Sequence, residues 1–70
     1  MNTKPKIGDK LFVTKLDGSN ETFIALVTAV GYRFFTVESS GPHIVIQFRL
    51  SNWTQRTFAK PDFTVSRTAP

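Results

Sequence analysis

Ile44-Val45-Ile46-Gln47-Phe48-Arg49-Leu50 is the most regular stretch of the chain. Successive side chains of a strand point to opposite faces, so a half-buried strand shows apolar residues at every second position. That period puts Ile44, Ile46, Phe48 and Leu50 inward and Val45, Gln47 and Arg49 outward. The composition agrees with a β protein: Val, Ile, Thr, Tyr, Phe and Trp number 28 against 22 for the good helix formers Ala, Leu, Glu, Lys, Gln, Arg and Met. A helical bundle needs the reverse balance, and no apolar i, i+3, i+4 pattern here is long enough for an amphipathic helix.

Downstream, Ser51 to Gln55 interrupts the alternation, and Ser51 and Asn52 are candidate caps for one turn of 3₁₀ helix. A last strand is expected over Arg56 to Ala59. Lys60-Pro61-Asp62 breaks it, leaving Phe63 and Val65 to clip the tail back. Upstream, Ser39 to Pro42 has loop composition. Before it comes a third strand, Tyr32 to Glu38, with Arg33, Phe35 and Val37 on one face and Tyr32, Phe34 and Thr36 on the other. Gly31 suits a tight hairpin with positive φ.

Thr22 to Val30 reads as a long apolar strand whose phase alternation leaves open. Val30 is out of step with Val27, which points to a bulge before Gly31. Leu16 to Glu21 is a loop, and Lys10 to Lys15 a first strand with Leu11 and Val13 on one side. The expected core is Leu11, Val13, Val27, Val30, Phe35, Val37, Ile44, Ile46, Phe48 and Leu50.

Seventy residues accommodate one hydrophobic core. The reading is a single domain over residues 7–65, with polar, frayed tips at 1–6 and 66–70. With no Cys there is no disulfide and no thiolate chemistry, so packing alone must hold the fold. No apolar run approaches a membrane span, and the opening MNTKPK leads into no signal-type hydrophobic region. A cytoplasmic protein without a membrane partner is expected.

Five short strands, a long first loop, a Gly turn and a one-turn helix before the last strand form the layout of an SH3-like barrel. The segments Ile7 to Val13, Val27 to Val37 and Gln47 to Leu50 resemble small SH3-like β-barrel proteins of bacteriophages and prophages. More distantly, the lead-in resembles the KOW-type barrels of ribosomal and transcription-elongation proteins. No second Gly precedes the Leu26-Val27 strand, as it does in the KOW pattern. The resemblance implies an all-β barrel and a phage accessory protein that engages a host or phage protein in the host-cell cytoplasm.

One His and five carboxylates in no recognisable motif argue against an enzyme. His43 reads as a loop residue in water rather than a ligand. Asp17 to Glu21 lacks the spacing of a calcium loop, and the four Gly are scattered rather than gathered into a phosphate cradle. No metal or cofactor is expected.

The net charge of +4 favours anionic partners. Between Glu38 and Asp62 there is no acid, while Arg49, Arg56 and Lys60 all fall there. Cations that neutralise phosphate, combined with rings on which bases stack, are the ingredients of nucleic-acid binding. The candidate surface comprises Tyr32, Arg33, Phe34, Gln47, Arg49, Trp53, Arg56 and Lys60. The competing reading has Trp53 capping the barrel, Phe34 filling a minor core and Arg33 paired with Glu21 or Glu38. A second function class, a protein-interaction module, uses the same aromatics in a groove. The oligomeric state stays open.

Overall fold

The computed structural model describes residues 4–41 and 43–68. It is all-β, with strands β1 (Lys10–Lys15), β2 (Thr22–Val30), β3 (Phe34–Ser40), β4 (His43–Arg49) and β5 (Phe63–Ser66). They form one antiparallel sheet in the order β4-β3-β2-β1-β5. The sheet curls, and two isolated bridges, Phe48 with Gln55 and Thr54 with Thr64, span the gap between its edge strands. Residues 54–55 thus act as a strap that closes the curl into a small barrel.

The inward faces bury Leu11, Val13, Ala25, Val27, Phe35, Val37, Ile46, Phe48 and Trp53, with Val30, Ile44, Leu50, Phe63 and Val65 packed against them. Seven of the ten expected core residues are buried, and the other three line the core's edge. Phe35 is the hub. Its ring stacks on Phe48 at 5.7 Å and meets Trp53 at 5.1 Å between centroids. Each such side chain contributes about 1.5–3 kcal/mol by leaving water.

The expected β2 bulge lies between Val27 and Ala29, so Val27 pairs with Val37 and Val30 with Phe35, both inward. It also settles the open phase: Ala25 and Val27 are buried, while Ile24 and Leu26 face solvent. Ala25 stands opposite Leu11 across the β1–β2 ladder.

Five expectations are corrected. Ser39, Ser40 and His43 are not loop residues: Ser39 pairs with Ile44 and Ser40 with His43, so β3 runs on to Ser40 and β4 opens at His43. The last strand is not Arg56 to Ala59. Gln55 Oε1 accepts from the Asp62 and Phe63 amides at 2.7 and 3.1 Å, which holds 56–62 as a loop and starts β5 at Phe63. No helix follows β4: Arg49 O accepts from Trp53 N at 2.8 Å while Arg49 N donates to Thr54 O at 2.8 Å, a reversal with Trp53 at φ +59°. The third strand begins at Phe34, so Tyr32 and Arg33 belong to the turn and Arg33 is not on the apolar face. Gly31 does not have positive φ. A Cβ there would stand 3.3 Å from the Phe34 carbonyl oxygen, against which Gly31 N–H donates at 2.8 Å.

At the tips, Pro5 is buried and Ser66 belongs to β5; residues 1–3 and 69–70 lie outside the described residues. Positive φ does occur at Gly8, +94°, in the turn closed by Asp9 N–H to Lys6 O at 3.0 Å. Gly at the third position is what a type II turn requires. The turn is stapled to the β2 bulge, since Gly8 N–H donates to Val27 O at 2.8 Å and Val27 N–H to Asp9 O at 3.0 Å. Nothing lies within 4 Å of a Cβ at Gly8. Gly8→Ala is therefore expected to cost only the backbone penalty, about 1–2 kcal/mol, read as a lower urea midpoint with unchanged slope.

Candidate functional site

The β2–β3 turn and the end of β4 lie side by side because Leu50 N–H donates to Arg33 O at 2.8 Å. Between them runs an open groove of about 610 Å³ lined by Tyr32, Arg33, Phe34, Arg49, Leu50 and Ser51. Tyr32 stands at the rim with its side chain 93% exposed. The Arg33 side chain is exposed and makes no hydrogen bond or ion pair among the described residues. The expected pairing with Glu21 or Glu38 is not formed, because Glu21 meets Lys15 at 3.2 Å and Glu38 meets His43 at 3.4 Å.

Phe34, half-buried, is opposite Arg49 across the β3–β4 ladder. The Arg56 guanidinium covers the Phe34 ring at 4.1 Å from its centroid and donates to Gln47 Oε1 at 3.1 Å. Gln47 in turn donates to Thr36 Oγ1 at 3.4 Å. The Arg56 guanidinium is thus held over the Phe34 ring on the outer face beside the groove, a cation–π contact worth about 0.5–1 kcal/mol at an exposed site.

Arg49 has a different employment. Its Nη1 donates to Gln55 O at 2.6 Å and Thr54 Oγ1 at 3.1 Å, and its Nη2 to Thr57 O at 3.3 Å. Most of its donors are committed to the strap, so it lines the groove without being a free cation. Trp53, expected among the surface rings, is 5% exposed and belongs to the core. Its ring is covered by Arg67 at 5.1 Å, and Arg67 meets Asp9 at 3.5 Å. Lys60 is exposed in the 56–62 loop and does not line the groove.

A scan against family models and searches of curated proteins and solved structures return no match for this chain.

The groove therefore joins Tyr32, Arg33, Phe34 and Arg49 from the expected set, with Arg56 and Gln47 beside them. Leu50, assigned to the core by its period, forms part of the lining, and Ser51 was read as a cap. Their shared signal is position: Leu50 ends the alternation begun at Ile44 and Ser51 follows it, just past the end of β4 where the chain turns. Phe58 was also missed as a surface feature and is fully exposed. Elsewhere, Ser19 Oγ and N–H donate to Asp17 at 2.6 and 3.0 Å and hold its carboxyl below the ordinary aspartate value. That ordering belongs to the β1–β2 loop, remote from the groove lining. Among the described residues, no three His, Asp or Glu side chains gather into a potential metal cluster, and no helix is long and apolar enough to cross a membrane.

Proposed function

We propose that this protein is a non-catalytic binding module whose groove takes single-stranded nucleic acid, one base stacking on Tyr32 and a phosphate meeting Arg33. The observation that carries this reading is the exposed Tyr32 ring beside an uncommitted guanidinium. A large ring held in water is a poor use of apolar surface for stability, and a ring next to a cation is what a nucleotide strand engages. Arg56, over the Phe34 ring, supplies a second positive group along the same surface. The likeness to small bacteriophage barrels fits a module of this size without prescribing its ligand.

Fluorescence anisotropy with labelled single- and double-stranded DNA and RNA tests the reading. Affinity should fall with salt, log K against log salt having a slope of about −0.7 for each phosphate neutralised on a single strand. With Arg33 free and Arg56 partly engaged, one to two phosphates are expected. Tyr32→Ala should cost about 1–3 kcal/mol of binding, the value of one stacked base. Arg33→Glu should weaken binding and flatten the salt slope, and neither substitution should move the unfolding midpoint. No binding at low salt would sink the nucleic-acid reading.

The protein-partner alternative, a phage accessory module engaging a host or phage protein, is favoured by one observation of its own. Phe58 is fully exposed on a loop pinned at both ends, by Arg49 on Thr57 O at 3.3 Å and Gln55 on Asp62 N–H at 2.7 Å. An aromatic presented on a fixed loop is the form a protein-interface anchor takes. Phe58→Ala abolishing capture of one protein from nuclease-treated lysate, with Tyr32→Ala silent, would favour it.

A further inference from the structure

We infer that the groove takes the phosphorylated end of a single strand rather than its interior, a proposal that deepens the nucleic-acid reading above and rests on it. Two guanidiniums line the one groove. Arg33, on the side of the β2–β3 turn, is exposed, and its side chain makes no hydrogen bond or ion pair among the described residues. Arg49, on the side of β4, bonds only uncharged groups: Thr54 Oγ1, Gln55 O and Thr57 O. These partners fix its position and leave its charge unneutralised. Among the described residues no Asp, Glu or His lines the groove, and the whole β4 side falls in the acid-free stretch between Glu38 and Asp62. Asp9, Glu21 and Glu38 meet Arg67, Lys15 and His43 instead.

Two positive charges without a counter-charge suit a dianion. A phosphodiester inside a strand carries a single negative charge, whereas a terminal phosphomonoester carries about −1.5 to −2 at pH 7 and offers three strong acceptor oxygens. The rings point the same way. A strand that runs through a site stacks successive bases on successive rings, and in this groove only the Tyr32 ring is open. The Phe34 ring has Arg56 over it at 4.1 Å, Trp53 is buried, and the exposed Phe58 lies outside the groove lining. One platform beside two cations matches one terminal nucleotide, its base on Tyr32 and its phosphate facing Arg33 and Arg49.

Unlabelled short oligothymidylates, bearing a 5′ phosphate, a 3′ phosphate or hydroxyls at both ends, compete against a labelled strand in fluorescence anisotropy. A phosphorylated form should bind about fivefold tighter than the hydroxyl form at low salt, the upper value for an exposed ion pair. That ratio should fall toward one between about pH 7.5 and about pH 5, because the second ionisation of the phosphate, near pH 6, is lost over that interval. Arg33→Gln should remove the ratio, and Lys60→Gln, outside the groove lining, should keep it. Equal affinity of all the forms would overturn the inference while leaving strand binding in place. No binding by any form would instead sink the underlying reading, and the inference with it. A ratio that survives Arg33→Gln, or a phosphotyrosine peptide that outcompetes the phosphorylated strand, would also overturn it.

Discussion

Trp53→Ala is expected to lose about 3–5 kcal/mol of stability, the range for emptying a large aromatic from a core. Small single-core domains have little to spare, so the variant should be largely unfolded at room temperature. Far-UV circular dichroism and urea titration measure this without relying on the chain's single Trp. The magnitude follows from what the ring touches: Phe35 at 5.1 Å and, on its outer side, Arg67 at 5.1 Å. The backbone adds a diagnostic. Trp53 occupies a left-handed conformation at φ +59°, where bulky residues are rare. Trp53→Gly would relieve that strain yet still empty the core. If Trp53→Gly proved as stable as wild type, the ring would not be a core element.

Arg49→Gln should be the next most damaging change outside the apolar core, by about 2–4 kcal/mol. Hydrogen bonds from a charged group are each worth about 1.5–3 kcal/mol, and acceptors left unpaired add to the loss. Here three bonds to Thr54, Gln55 and Thr57 go at once, and because their acceptors are exposed or only partly buried, water replaces part of what is lost and the net falls below the sum. The strap then detaches from β4, and the Phe48–Gln55 bridge with it. The expected signature is a lowered urea midpoint, together with fast amide exchange at Arg56, whose N–H otherwise bonds Gln47 O at 2.9 Å. The consequence for binding assays is practical. Loss of ligand in an Arg49 variant would report a broken barrel, whereas Arg33 variants leave the fold intact and report the groove. An Arg49→Gln protein of unchanged stability would return Arg49 to the ligand.

The strands that alternate cleanly were legible from residues alone. β1 and β4 are where the period of two places them, and the misfit of Val27 with Val30 located the β2 bulge. What escaped was everything held by a side chain bonding to distant backbone. Thr57-Phe58-Ala59 looks like a strand until Gln55 is seen capping the Asp62 and Phe63 amides. Arg49 alternates outward like any solvent cation, and nothing local reveals that its donors turn onto the strap. Trp53 was ambiguous between ring platform and barrel plug because burial of a lone aromatic depends on the turn before it. The candidate groove was half readable for the same reason: Tyr32, Arg33 and Phe34 are adjacent in sequence, while Leu50 and Ser51 join them only through the Leu50–Arg33 hydrogen bond.

The pairing of β5 with β1, Phe12 with Ser66 through Lys15 with Phe63, bears on how the protein is made. As the chain leaves the ribosome, β1 to β4 can assemble in order as neighbours, but one side of β1 waits for residues still inside the exit tunnel. Leu16 N–H, bound to Asp62 O at 2.8 Å, waits with it. Contacts between such distant residues form late and slowly. Until β5 docks, one edge of β1 has no strand beside it and the barrel interior stays open to water.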